Sequence, residues 1–320
     1  MRYIFGPVPS RRLGLSLGVD VIPFKTCSFD CIYCQLGRTT CKTTERSSFV
    51  NVSDVVADLK LALPGVNASY VTFSGSGEPT LYLELGRLIN AVKELTSVPV
   101  AVLTNGSLLS YPEVQRELLD ADLVIPSLDA ASQDIFEKVN RPCPELRIRD
   151  VISGIEAFSS HFKGKLWIEV MLVKDVDDSE AELARIASAL ENVKAEKIQL
   201  NTVERPPAEP LARPLSRDEM ERAKSRFGEC AEIIAATPAI ATPSDEAASE
   251  TLEGRNIKAE YGEILSLLRR RPCTSEDIAN GLGLNPNEVS KLLGALMELG
   301  LVKISRSAHG KAYFHRGSVE

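Results

Sequence analysis

No uninterrupted apolar run of about 18 residues occurs in this sequence, which excludes a membrane-spanning helix of ordinary length. An excess of positive charge is also missing. There are 37 Lys and Arg against 44 Asp and Glu, a net of −7, so the chain as a whole is not an electrostatic binder of nucleic acid. Histidine is scarce: His161, His309 and His315 are all far along the chain, which leaves none for a metal site in the first half. The opening segment MRYIFGPVPSRRLG lacks the apolar stretch of an export signal, and the expectation is a cytoplasmic chain. Core-forming residues, in contrast, are plentiful. At 44% hydrophobic and 25% charged the chain is no disordered polymer, and 320 residues suit one enzyme-sized domain plus a smaller one. Cysteine stands at 7, an odd and modest number. That disfavours a disulfide scaffold and turns attention to metal or redox chemistry.

The cysteines are unevenly placed. Cys27, Cys31, Cys34 and Cys41 fall within 15 residues, whereas Cys143, Cys230 and Cys273 stand alone. The first three form C-x3-C-x2-C in KTCSFDCIYCQLG. Thiolates are soft ligands suited to iron–sulfur clusters and zinc. A structural zinc site asks for four ligands, often as two separated pairs, and only Cys41, beyond the Gly37 turn, stands near as a fourth. Three protein ligands on a four-iron cluster leave one iron open to a substrate or cofactor.

Strand and helix patterns alternate behind this segment. Strands are expected at 15–24, 70–74, 98–105, 122–129, 166–173 and 196–203. Helices are expected at 50–63 (with Ser53 as N-cap), 81–95, 108–121, 132–140, 145–161 and 178–193. Six strands alternating with helices imply a parallel sheet with right-handed crossovers, and about 200 residues fit a partial (β/α)6 barrel better than an eight-fold one. Chemistry in such folds sits at the C-terminal strand ends, where the cysteine loop falls. The expected division is residues 1–205 as barrel, 206–254 as helical extension and linker, and 255–320 as a separate small domain.

The small domain reads as three helices and a two-stranded ribbon. Pro272 closes the first helix, Thr274 or Ser275 caps the second, and Asn285 stands before Pro286 at the start of the third. This is the winged helix-turn-helix order. Residues 255–320 carry 10 Lys and Arg and 7 Asp and Glu, a mild positive bias. The third helix has only Lys291 as a base, against Glu288 and Glu298. A nucleic-acid contact through residues 255–320 and a packing module are both open readings.

The cysteine spacing with Tyr33 before its last member, followed after the second strand by SGSGEPTL (74–81), resembles the two signatures of the radical S-adenosylmethionine (radical SAM) superfamily. The second is similar to that superfamily's Gly-Gly-Glu motif, with Ser76 at the usual second glycine. The opening GPVPSRRLGLSLGVDVIPFKTCSFDCIYCQLGRT is most similar to Fe–S oxidoreductases grouped with wyosine-base tRNA-modifying enzymes. The resemblance implies the following. Cys27, Cys31 and Cys34 hold three irons of a [4Fe–4S] cluster, and the open iron binds S-adenosylmethionine (SAM). Reductive cleavage gives a 5′-deoxyadenosyl radical that abstracts hydrogen from an unassigned substrate, RNA being one class. The partner is a reductant such as ferredoxin or flavodoxin. Wyosine enzymes carry further cysteines ahead of the motif. This chain has none before Cys27, so the resemblance does not carry the substrate over.

The same resemblance assigns SAM contacts. Gly75, Ser76, Gly77 and Glu78 meet the methionine amino group, the alternative being a plain turn. Asn105 reaches carboxylate or ribose, or forms an Asn-Gly turn. Asp129 binds ribose or carboxylate, or caps the next helix. Tyr33 lies near adenine, or is a packed aromatic. Arg141 contacts the ligand or makes a surface salt bridge. Glu169 is a site residue if it faces the barrel interior; Asn201 and Glu204 are weaker candidates. Arg11 and Arg12 hold an anionic substrate or pair with the acidic barrel. Cys41, Cys143, Cys230 and Cys273 lack ligand spacing and read as buried or idle thiols. Three other functions compete: a cluster-containing redox-sensing transcription regulator, a glycyl-radical activase, and a zinc-structural protein.

Overall fold

The computed structural model describes residues 3–234 and 257–317. Of the helical extension and linker expected at 206–254, residues 235–254 lie outside the described residues. The chain opens with an antiparallel pair, β1 (Ile4–Ser10) and β2 (Gly14–Val19). Two short strands follow in the cysteine segment, β3 (Thr26–Cys27) and β4 (Cys41–Lys42). Alternation then sets in: α1 (Val52–Ala62), β5 (Tyr70–Phe73), α2 (Leu85–Leu95), β6 (Val100–Thr104), α3 (Pro112–Leu118) and β7 (Leu123–Pro126). It continues with α4 (Gln133–Val139), α5 (Ile148–His161), β8 (Lys165–Leu172), α6 (Glu180–Leu190) and β9 (Lys197–Thr202). Then come α7 (Arg217–Lys224) and β10 (Ala231–Ile233). The sheet order is β1-β2-β5-β6-β7-β8-β9-β10, and every pairing after the first is parallel. This is an open α/β barrel built on the six expected strands.

The strands carry two interleaved sets of residues. Leu17, Val71, Phe73, Val102, Val124, Ile168 and Leu200 alternate outward into the main core under the helices. Helix α2 meets them with Leu85, Leu88, Ile89 and Val92, a single stripe at helical spacing, all fully buried. Burying each such side chain stabilises the fold by roughly 1.5–3 kcal/mol. The intervening residues point inward and change character along each strand. Ala101, Leu123 and Trp167 form an apolar plug at the strand starts, together with Leu13 and Ile125. Asn105, Ser127 and Glu169, further along the same chains, line a cavity at the strand ends. The polarity of the barrel interior is thus graded toward the C-terminal face.

The C-terminal region forms α8 (Ile257–Arg270), α9 (Ser275–Leu282), α10 (Pro286–Glu298) and an antiparallel ribbon, β11 (Val302–Arg306) with β12 (Ala312–Arg316). Thr274 caps α9 in a capping box with Asp277, and the Asn285 side chain accepts from Asn287 N at α10.

Three expectations need correction. Helix α1 begins two residues earlier than a Ser53 cap allows, with Asn51 at the N-cap and no side-chain capping bond. The sheet does not stop near 205, because β10 adds a further parallel strand beside β9. Nor is the C-terminal core self-contained: Phe5 and Val8 of β1 are buried in one apolar cluster with Ile264, Leu267, Ile278 and Leu293.

Candidate active site

The cysteine loop is fixed by its own apolar residues. Phe29 and Ile32 are buried, and Phe29 packs edge-on against Phe136 of α4 at 5.2 Å between ring centres. Backbone bonds from Asp30 N to Asn140 O (2.9 Å) and Ile32 N to Val139 O (3.0 Å) tie the loop to the end of α4. On its other side it is laced to the glycine segment, with Lys25 N donating to Ser76 O (2.7 Å) and Glu78 N to Thr26 O (3.1 Å). Gly77 is required by this approach, since a Cβ there would stand 1.9 Å from the Thr26 carbonyl oxygen. Gly75 has φ of 128° and packs on the Asp20 carboxyl group.

Cys27, Cys31 and Cys34 are half-buried free thiols on this loop, whereas Cys41 on β4 is exposed. Burial pushes the Cys27 thiol up to about 12, with the Glu78 charge adding to it. Burial and Asp129 raise Cys31 well above the ordinary value, and burial raises Cys34. Cys34 raises both Cys27 and Cys31 electrostatically, and Cys27 raises Cys31. A bound metal reverses that preference, since a coordinating thiol is deprotonated outright. Two amides are aimed at the sulfurs: Asn105 Nδ2 stands 3.5 Å from Cys27 Sγ, and Asn140 Nδ2 3.5 Å from Cys31 Sγ. Among the described residues no three His, Cys, Asp or Glu side chains converge on a single ion. A four-iron cluster makes a different demand, because each thiolate binds its own iron. Three soft donors on one loop, with amide donors toward the sulfurs, fit that group.

The expected SAM residues divide into two sets. Cys27, Gly75, Gly77, Glu78 and Asn105 line a cavity of about 310 Å³ at the strand ends. Ser76, Asp129 and Tyr33 do not line it. Glu78 is fully engaged: its carboxylate accepts from Thr80 N (3.1 Å), Thr80 Oγ1 (2.7 Å), Thr104 Oγ1 (2.5 Å) and Asn105 N (2.7 Å). Burial nevertheless raises its pKa. It clamps the end of β5 to the end of β6. Asn105 Nδ2 also donates to Ser28 Oγ (2.8 Å), and its Oδ1 accepts from Ser107 N (2.9 Å). Asp129 accepts from Tyr33 Oη (2.5 Å), Asn140 Nδ2 (2.7 Å) and Met171 N (2.9 Å). Burial raises its pKa to about 6. The Tyr33–Asp129–Asn140 network braces the cysteine loop against β7 and β8.

Ser76 has a partner of its own. Its Oγ donates to Asp20 Oδ2 (2.6 Å) and its N to Asp20 Oδ1 (3.1 Å). Asp20 in turn accepts from Arg270 Nε at the end of α8 (2.9 Å). A glycine could not make the first of these bonds. The serine therefore joins the glycine segment to the C-terminal region through one buried carboxylate.

Glu169 faces the barrel interior, pairs with Arg12 Nη1 at 2.7 Å, and accepts from Asn201 Nδ2 at 3.0 Å. Burial alone would raise its pKa, but Arg12, Asn201 and Arg11 outweigh burial and hold it below the usual carboxylate value. Arg141 is turned away, paired with Glu209 at 2.7 Å. The sequence reading missed Asp20, Asn140, Arg205, Arg270 and Arg271. Asn140 sits beside the Arg141 that was considered; the others carry no local motif.

Fold and site together define an open α/β barrel whose chemistry is gathered around a cysteine loop at the strand ends. The family model "Radical SAM superfamily" matches residues 21–187, and "Bacterial regulatory protein, arsR family" matches residues 263–303. A UPF0026 protein of Helicobacter pylori (strain J99) is 35% identical over 295 residues, covering 90% of each chain. A Brachyspira hyodysenteriae protein named "GTPase Obg" is 42% identical over 301 residues, 94% of this chain; the chain spans 43% of that relative's length. Among solved structures, a radical SAM methyltransferase from Sphaerobacter thermophilus superposes with a TM-score of 0.53 at 20% identity, covering 68% of this chain and 66% of its own, a likeness of fold. The chain belongs to the radical SAM superfamily and to the family of UPF0026 proteins.

Proposed function

We propose that this chain is a radical SAM enzyme in which Cys27, Cys31 and Cys34 hold a [4Fe–4S] cluster and the adjoining cavity holds SAM. When bound and reduced, the cluster supplies the electron that cleaves the SAM sulfonium to a 5′-deoxyadenosyl radical for hydrogen abstraction. The single observation that carries this reading is the joining of the cysteine loop to the glycine segment by Lys25 N–Ser76 O and Glu78 N–Thr26 O. Those bonds set Cys27, Gly75, Gly77 and Glu78 on one wall of one cavity. Gly75 and Gly77 leave backbone accessible to a ligand, Glu78 fixes the segment's shape, and Asn105 orients Cys27 through its amide. Tyr33, Asp129 and Asn140 act as positioning residues for the loop that carries Cys31 and Cys34. A reductant such as ferredoxin or flavodoxin is the proposed electron source.

Residues 257–317 are proposed to act on the barrel rather than as a free nucleic-acid reader. Arg271 Nη1 and Nη2 donate to Pro9 O (both 3.3 Å), and Gly281 of α9 lies against Pro7, where a Cβ would stand 2.7 Å from the carbonyl oxygen. On this reading, anaerobically reconstituted protein given dithionite and SAM releases 5′-deoxyadenosine, measured by chromatography. Absence of the nucleoside from protein carrying about four irons per chain would overturn it.

A further inference from the structure

The cavity lining has two chemically different parts, which adjoin where Arg205 bonds Gln35 beside Cys34 and Arg270 bonds Asp20 beside Gly75. One is the wall of Cys27, Gly77 and Glu78 described above. The other is lined by five arginines, Arg11, Arg12, Arg205, Arg270 and Arg271, drawn from the β1–β2 turn, the end of β9 and the C-terminal region. Two of them are neutralised, Arg12 by Glu169 at 2.7 Å and Arg270 by Asp20 at 2.9 Å. Of the other three, Arg271 has only a longer ion pair, and Arg11 and Arg205 have no carboxylate within ion-pair distance among the described residues. Arg205 donates to the neutral Gln35 Oε1 (2.6 Å), and Arg271 reaches Asp277 only at 3.8 Å. Arg11 Nη1 and Arg271 Nε are buried without a hydrogen-bond partner among the described residues. Burial lowers the pKa of Arg205, and the neighbouring Arg271 and Arg11 lower it further against Cys273 and Asp277, whereas Cys273 and Asp277 outweigh burial at Arg271 and raise it. Burial likewise lowers Arg11, with Glu204 opposing and Arg12 reinforcing the shift. Guanidinium groups stay charged at neutral pH, so like charges are held together in a low-dielectric site. Such an arrangement is costly unless an anion fills it.

We infer that this part of the cavity binds a phosphate ester of the substrate, with Arg11, Arg205 and Arg271 as its ligands. The inference rests on the proposed function, which assigns the part lined by Cys27, Gly77 and Glu78 to SAM. Two guanidiniums without a counter-ion among the described residues, beside a third held 3.8 Å from Asp277, suit a dianion better than a single carboxylate, and their donor forks match phosphate oxygens. Arg271 makes the C-terminal region part of the substrate site.

The test is calorimetric titration of the full chain with inorganic pyrophosphate, ribose 5-phosphate, acetate and a short single-stranded RNA. Alongside it runs the assay for 5′-deoxyadenosine. Pyrophosphate and ribose 5-phosphate are expected to bind and acetate not. Arg11→Gln and Arg205→Gln are expected to weaken pyrophosphate by at least about tenfold each, the loss of one charge-assisted contact. Protection of arginines from phenylglyoxal by pyrophosphate gives the same reading in unaltered protein, should a variant fail to fold. Equal binding of acetate, unchanged affinity in folded variants, or binding of RNA alone would overturn the inference. Nucleoside formation without phosphate binding sinks this inference and leaves the proposed function standing. Arginine-dependent phosphate binding without nucleoside formation does the reverse.

Discussion

Replacing Cys31 by alanine is expected to remove the bound iron and reduce 5′-deoxyadenosine formation to the level seen without enzyme. Loss of an outer-shell contact typically costs a metal site 10–100-fold, roughly, and loss of a ligand costs more. Two thiolates cannot hold a four-iron cluster on this loop, and no replacement stands ready. Cys41 is exposed on β4, paired in register opposite Thr26, and Cys143 is buried among Leu146 and its neighbours in the main core. The variant should fold, because Phe29 and Ile32 rather than Cys31 anchor the loop in the core. Cys41→Ala is the matched control and should keep its iron and its nucleoside product. Iron content and chromatography on the two variants decide the matter. A Cys31→Ala protein that retained both would show that the loop is not the cluster site.

Breaking the Asp20–Arg270 pair should produce the largest loss of stability. Both side chains are almost fully buried, 5% and 7% exposed, and meet at 2.9 Å. Among the described residues, Arg270→Ala leaves the enclosed Asp20 carboxylate with Ser76 alone to donate to it. It also removes the guanidinium stacked 5.1 Å from the Phe5 ring. Removing one partner of a buried pair costs about 3–5 kcal/mol. For a chain of this size that lowers Tm by on the order of 10 °C. Ser76→Gly, which restores the superfamily's usual residue, should cost less, about 1.5–3 kcal/mol for a hydrogen bond to a charged group. The double variant should lose less than the two losses combined, because both act on one carboxylate. Thermal melts of the three proteins test this. Additive losses, or an unchanged Tm in Arg270→Ala, would mean that the C-terminal region and the glycine segment are not joined through Asp20.

How much of this was visible in the sequence depends on distance along the chain. The six parallel strands and the cysteine loop were legible because each is a local pattern. β1 was not, because Pro7 and Pro9 argue against a strand, and prolines are tolerated only at an edge such as this one. β10 was too short to show a period. Glu169 stood out as a carboxylate in an apolar run, but its facing could not be read. Strands apolar on both faces hide their alternation, and here the apolar plug supplies the second face. Ser76 was noticed as a departure from a glycine, and its reason, Asp20, lies 56 residues away. The arginine cluster was least legible of all. Arg11 was flagged for an anion, but Arg205 and Arg271 come from unrelated segments and meet it only in the fold.

The central claim is that three cysteines hold a cluster with one iron left open to SAM. The most direct measurement is the electron paramagnetic resonance spectrum of reconstituted, dithionite-reduced protein, recorded with and without SAM. The account predicts a four-iron signal that changes on addition of SAM and is retained in Cys41→Ala. A signal indifferent to SAM, or one lost in Cys41→Ala, would contradict it, since the fourth iron would then be capped by the protein.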